Sequence, residues 1–344
     1  MTDDRRYFLD FIRTFACLLV VFSHLQENLV SIVGGEHANL GYIALHGHVA
    51  VIIFFVLSGF IVGYITDNKC LSVNYDFKSY LIDRLSRIYS VLIAAVIFTL
   101  VLDLIGSCIF QEYSNYDLFP QQHKFLRFFI NLFGMQGIFG YRIQFGSNPS
   151  LWSIGYEIIF YVLFGLFYFR FERKKNHYII SITILLTIIY LYKIDIFIYG
   201  IIWVYGFLIY KISKKIKYSC NFLILILILY GANHYINIEN IFKFSDSIRD
   251  LISAFIFGII ILISPMYGKI LEKPSLISKL SFSLYATHYP VLFFMSCFFV
   301  YNNMKTNKIL IALMLLGCIL IGLIFYLTIE RKRFELRIFL KKYI

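Results

Sequence analysis

Charge is what this sequence has least of. Asp, Glu, Lys and Arg together make up 15% of its 344 residues, where a soluble domain carries about 25%. So little charge cannot cover a water-soluble globule of this length, which excludes a soluble catalytic fold. Proline occurs only 5 times. No low-complexity linker or internal repeat stands out, so residues 1–344 read as one domain. The 6 cysteines, Cys17, Cys70, Cys108, Cys220, Cys297 and Cys318, show no CxxC or metal-ligand spacing. They read as small apolar residues within helices. No metal is expected.

What the chain has instead is apolar blocks. Apolar residues make up 60%, the mean hydropathy is +0.75, and the blocks run to about 15–24 residues, the length that crosses a hydrocarbon core. Their positions predict spans at 8–30, 47–66, 88–110, 151–170, 177–192, 195–211, 220–235, 248–264, 279–301 and 308–328. The expected fold is therefore all-α, a polytopic membrane protein of about ten transmembrane helices. The stretch 125–139 is apolar but short and is interrupted by Arg127 and Asn131. It reads as an interfacial or re-entrant piece. The loop it belongs to, about 111–150, is long for a connector. Arg5 and Arg6 before the first block imitate a signal peptide. The block carries Asp10, Arg13 and His24, however, and no small-residue cleavage site follows it, so it reads as a retained helix.

The formal net charge of +12 does not indicate nucleic acid, because the basic residues sit between the apolar blocks. Arg5 and Arg6, Lys69 to Arg87, Arg170 to Lys175, Lys211 to Lys217, Lys269 to Lys279, and Arg331 to Lys342 all fall on one side of a ten-span layout. That side holds most of the 32 Lys and Arg residues. Positive-inside bias therefore places both termini in the cytoplasm.

Ionisable groups inside spans are costly and point to function. Arg13 and His24 are separated by about three full helical turns, so they share a face about 16 Å apart along the axis. Asp10 stands one turn before Arg13 and can pair with it. Arg13 reads either as an arginine snorkelling to headgroups or as an anchor for an anionic ligand. His24 reads either as a hydrogen-bonded core residue or as a general base, since imidazole titrates near neutral pH. Arg84 and Arg87, one turn apart before the third span, read as a topology signal or as a phosphate site. Trp152, Ser153 and Glu157 open the fourth span; an interfacial tryptophan is ordinary, but Glu157 needs a partner. In the ninth, Ser281-Phe282-Ser283-Leu284-Tyr285 leads to His288 and Pro290. The proline is expected to kink that helix and free a carbonyl for a polar partner.

In this order the motifs resemble the membrane acyltransferase-3 family, which includes bacterial O-acetyltransferases of surface polysaccharides. Leu9-Asp10-Phe11-Ile12-Arg13 followed by His24 resembles its first-span signature. Phe54-Phe55-Val56-Leu57-Ser58-Gly59-Phe60 resembles its second-span motif, and Arg84-Leu85-Ser86-Arg87 its basic motif. Trp152-Ser153 with Glu157, the Ser281–Pro290 segment, and Glu330 complete the likeness. Two departures are local: Ser90 and Arg331-Lys332 stand where the family often has proline nearby. The chain resembles the stand-alone branch, without a C-terminal hydrolase-like domain.

The resemblance implies transfer of an acyl group, usually acetyl, from cytoplasmic acetyl-CoA to a carbohydrate hydroxyl on a lipid-linked or growing polysaccharide, in the bacterial inner membrane. His24 and Arg13 would be catalytic, with His24 as base; an acyl-His24 intermediate is less favoured. Arg13, Arg84 and Arg87 would bind the CoA phosphates. Trp152, Ser153, Glu157, Ser283, Tyr285 and His288 would contact substrate. Asp10, Ser58, Gly59 and Glu330 would support the site. The rival expectation is a transporter or flippase for lipid-linked oligosaccharide, which would line a pathway with the same intramembrane charges. The lack of a visible repeat speaks against it.

Overall fold

The computed structural model describes residues 3–31, 46–71, 75–110, 123–137, 143–169, 182–187, 195–215, 246–263, 276–304 and 307–343. Within these the chain is helical: α1 (Asp3–Ser31), α2 (Gly47–Cys70), α3 (Phe77–Ile109), α4 (Lys124–Leu132), α5 (Trp152–Tyr168), α6 (Asp195–Ser213), α7 (Asp246–Ile263), α8 (Leu276–Tyr301), α9 (Lys308–Thr328) and α10 (Arg333–Tyr343). Short 3-10 turns at Pro149–Leu151 and Glu330–Lys332 precede α5 and α10. Among the described residues, 7 helices are long and apolar enough to cross a membrane. The protein is an all-helical polytopic membrane protein. The span expected at 220–235 lies outside the described residues, and of 177–192 only 182–187 is described, as helix. The expected span at 248–264 is α7. It is not one of the 7, as its 18 residues include Asp246, Arg249 and Asp250.

One boundary differs instructively from the hydropathy. The third span was expected from 88, but α3 begins at Phe77. The Asp76 carboxylate caps the helix by accepting from the Ser79 amide at 2.9 Å, satisfying a donor that the first turn would leave open. At 1.5 Å per residue, the 33 residues of α3 reach about 50 Å, well beyond a hydrocarbon core of about 30 Å. Arg84 and Arg87 therefore stand on a rigid helix and not in a loop.

The chain forms two compact units that share α1: Met1–Ala16, His48–Tyr75 and Ile194–Ser278 in one, and Cys17–Gly47, Asp76–Lys193 and Lys279–Ile344 in the other. In the first unit, α2 and α6 meet through glycine. A Cβ on Gly59 would collide with the Trp203 carbonyl oxygen, and one on Gly206 with that of Val56. Close backbone approach through small residues is the usual way helices pack in lipid. At the end of this pair the Asp67 carboxylate accepts from Tyr210, Lys211 and Lys214 at 2.9, 2.9 and 2.7 Å. The bond to Asp67 holds the Lys214 ammonium pKa above its usual value. At the N-terminal end of α2, His48 Nε2 lies 3.0 Å from both carboxylate oxygens of Asp250 on α7.

In the second unit, α3 packs against α4, α5 and α10. The two faces of α9 show the membrane logic. Met314, Cys318, Gly322 and Phe325 are buried, while Ile309, Leu313, Leu316, Leu320, Ile324 and Leu327 are exposed. Both sets recur at helical spacing, and an exposed stripe this apolar is stable only against lipid tails. The interfacial reading of 125–139 corresponds to α4, 9 residues long and too short to span. Phe125, Leu126 and Phe129 are exposed. Asn131 is buried and donates to the Ile143 carbonyl at 2.7 Å.

Candidate active site

Within the second unit the polar residues of α1, α5 and α8 form a connected chain. At its head, His24 Nδ1 lies 2.7 Å from His288 Nε2. The two rings are parallel, with centroids 5.0 Å apart, and Tyr289 packs edge-on against His24. His288 is fully buried, whereas His24 is half-buried. The hydrogen bonds fix the tautomers. His288 Nδ1 faces the carbonyls of Tyr285 at 2.8 Å and Leu284 at 3.2 Å. Carbonyls only accept, so Nδ1 of His288 carries the proton and its Nε2 is the acceptor. His24 then donates from Nδ1, which leaves its Nε2 lone pair free. The His24 Nε2 makes no hydrogen bond to a described residue. On the same face, Asn28 donates to the His24 carbonyl at 2.8 Å, and Tyr289 reaches Glu27 at 3.5 Å.

The chain continues through Tyr285, whose ring centroid is 5.9 Å from that of His288. The Tyr285 hydroxyl donates to the Ser150 carbonyl at 2.8 Å and therefore accepts from Ser153 at 2.7 Å. Beside it, the expected effect of Pro290 is visible in a specific bond. Proline has no amide to give the Ala286 carbonyl one turn back. That carbonyl instead accepts from Asn148 Nδ2 at 2.9 Å. Helix α8 nonetheless continues through Pro290. Asn148 also donates to Thr99 at 3.2 Å and accepts from Ser150 at 2.7 Å. Asp103 receives the Ser147 amide at 2.9 Å and its hydroxyl at 2.5 Å. The loop before α5 is thus bolted to α3 and α8.

A second group gathers where α3, α5 and the turn after α9 meet. The Tyr161 hydroxyl donates to Glu157, one turn back on α5. Ser283 donates to the buried Glu330 at 2.6 Å. Arg87 lies within the electrostatic field of both carboxylates. Arg84 is 4% exposed, and its guanidinium lies over the Tyr80 ring, 5.9 Å from the centroid. Trp152 is half-buried with its ring edge-on to Tyr156. Among the described residues no three His, Cys, Asp or Glu side chains form a metal-binding group.

The remaining expected residues belong to the first unit. Arg13 Nη1 pairs with Asp10 at 3.3 Å, as their spacing implies. Ser58 accepts from Trp203 Nε1 at 3.1 Å, one step from the tight contact at Gly59.

A family model described as an acyltransferase domain matches residues 6–329. The chain belongs to this acyltransferase family. The match covers nearly the whole chain and includes every expected site residue except Glu330, which lies just past it. No curated protein and no solved structure matches the chain.

For a membrane acyltransferase the histidine pair has a direct chemical use. A neutral imidazole with one nitrogen committed and the other open can take a proton from a hydroxyl and return it to a leaving group. Three residues of this network were not anticipated from the sequence: Asp103, Asn148 and Glu27. Asp103 is signalled by the rule for intramembrane charge. Asn148 was hidden in a turn, since Asn-Pro reads first as loop chemistry.

Proposed function

We propose that this acyltransferase is an O-acetyltransferase. It would move an acetyl group from cytoplasmic acetyl-CoA to a sugar hydroxyl of a bacterial surface polysaccharide or its lipid-linked precursor. The observation that carries the reading is the His24 Nε2, which makes no hydrogen bond to a described residue, on a ring with its tautomer set by His288.

In the proposed step, the sugar hydroxyl gives its proton to His24 Nε2 as its oxygen attacks the thioester carbonyl carbon. The C–O bond forms, the tetrahedral intermediate collapses and the C–S bond breaks. The His24 imidazolium returns the proton to the departing sulfur, so the enzyme ends as it began. His288 accepts from His24 Nδ1 throughout, and so orients the ring and stabilises the imidazolium. This gives His288 a positioning role in place of direct substrate contact. Arg13, Arg84 and Arg87 are assigned to the CoA phosphates, because guanidinium matches phosphate. Trp152 is assigned to stacking on a sugar ring, with Ser153 and Glu157 binding its hydroxyls. Ser283 and Glu330 hold the turn after α9 against α8.

The test is incubation of membranes carrying the protein with acetyl-CoA labelled in the acetyl group. Label is expected in saccharide, in oxygen-ester linkage released by mild base. Transport of lipid-linked oligosaccharide without label incorporation would replace this reading with the flippase one.

A further inference from the structure

Three guanidinium groups gather in the second unit without a hydrogen bond or ion pair to any described residue, although Arg84 lies over the Tyr80 ring and Arg333 over that of Phe334. Arg84 is 4% exposed, and its Nε is buried without a hydrogen bond. Arg87 and Arg333 are half-buried. None of the three makes a hydrogen bond or ion pair with a described residue. A buried guanidinium left unpaired is destabilising, and Arg84, gathered with two half-buried arginines, makes the site one that favours a bound anion.

The placement of Arg333 follows from helix geometry. Helix α10 packs on α3, and Arg337 is ion-paired with Asp83. Asp83 and Arg87 are one turn apart on α3, and Arg333 and Arg337 are one turn apart on α10. With the Asp83–Arg337 pair as one fixed contact, Arg333 stands one turn away on α10, on the side of Arg87 rather than of Ser79 if the two helices run antiparallel. Consistent with this, Arg333 feels the charges of Arg87, Glu330 and Arg84. The nearby carboxylates, Glu157 and Glu330, are already engaged by Tyr161 and Ser283. Three cations against two anions leave the site positive. Arg333 also lies beyond residue 329, where the family match ends, so no family motif assigns it.

We infer that Arg333, carried on α10, joins Arg84 and Arg87 in one phosphate-binding site at the N-terminal end of α3. The shared chemistry is a phosphate group. Resting on the proposed function, its source is the acyl donor, which makes α10 part of the donor site; an anionic lipid headgroup is the other source.

Full-length protein in nanodiscs of phosphatidylcholine alone, titrated with CoA, separates these. R333Q is expected to weaken CoA binding about tenfold or more, the loss typical of a charge-assisted contact. R331Q, at an exposed neighbouring arginine, should leave it unchanged. If CoA binding is indifferent to R333Q, while phosphatidylglycerol stabilises the wild type and not R333Q, the phosphate site stands with lipid as its source. If neither ligand distinguishes R333Q from wild type, the site is overturned, while acetyl transfer keeps its own test. Should R333Q fail to fold, the wild type carries the measurement. Phenylglyoxal modification of Arg333, read by mass spectrometry, is expected to fall when CoA or phosphatidylglycerol is present. Unchanged modification with both would overturn the site. Absence of CoA binding by the wild type would count against the transfer reading without touching a lipid-filled site.

Discussion

At the scale of single residues, His288 matters through the nitrogen it presents. Its Nδ1 is committed to backbone carbonyls, so its Nε2 can only accept, and this leaves His24 Nε2 unprotonated, as a lone pair. Replacement of His288 by glutamine keeps an acceptor, whereas leucine removes it. H288Q is expected to retain a measurable part of kcat and H288L to lose about a hundredfold or more, with KM for acetyl-CoA unchanged in both. Equal losses in the two variants at matched expression would show that His288 serves packing only. The first-span pattern was legible in the sequence, because helix periodicity alone puts Arg13 and His24 on one face. The partner of His24 was not, since it stands 264 residues away and only tertiary packing brings it in. For the same reason Ser283 and Tyr285 were legible as intramembrane polar groups but not as partners of Glu330 and Ser153.

At the scale of helices, the Ala286 carbonyl freed by Pro290 gives the most exact prediction the structure offers. N148A removes the donor to the Ala286 carbonyl and should cost about 1–3 kcal/mol, the usual penalty for a buried polar group left unsatisfied. P290A restores an amide that can close the helix onto the same carbonyl. The double variant N148A/P290A should therefore lose less stability than the two single losses added, a coupling readable by thermal unfolding in detergent. Strict additivity would mean that the bond from Asn148 contributes nothing through that carbonyl. Gly59 gives a second case. A side chain there meets the Trp203 backbone oxygen, which cannot move aside as a flexible side chain would. G59V is expected to lower the folded yield in membranes markedly, while an alanine at lipid-facing Leu316 leaves it unchanged. Hydropathy located the apolar parts of these helices well and their ends poorly. The start of α3 is set by the Asp76 cap and carries Lys78, Asp83, Arg84 and Arg87. A window that scores apolarity therefore begins the helix late, even though the backbone is already wound.

For the whole molecule, the distribution of basic residues predicts that both termini face the cytoplasm. Fluorescent-protein fusions at either end should fluoresce, and alkaline phosphatase fusions at either end should stay inactive. Opposite behaviour of the two ends would require an odd number of spans. This topology gives the proposed chemistry its direction, with arginines assigned to a cytoplasmic donor and His24 set farther along α1. The family was legible from motif order; the acceptor sugar is not written in any side chain and must be measured. The most direct measurement is NMR of the surface polysaccharide from three strains: one with the gene, one without it, and one carrying H24A at equal membrane level. The account predicts an O-acetyl signal in the first strain and its absence from both others. An O-acetyl signal undiminished in the H24A strain would contradict it.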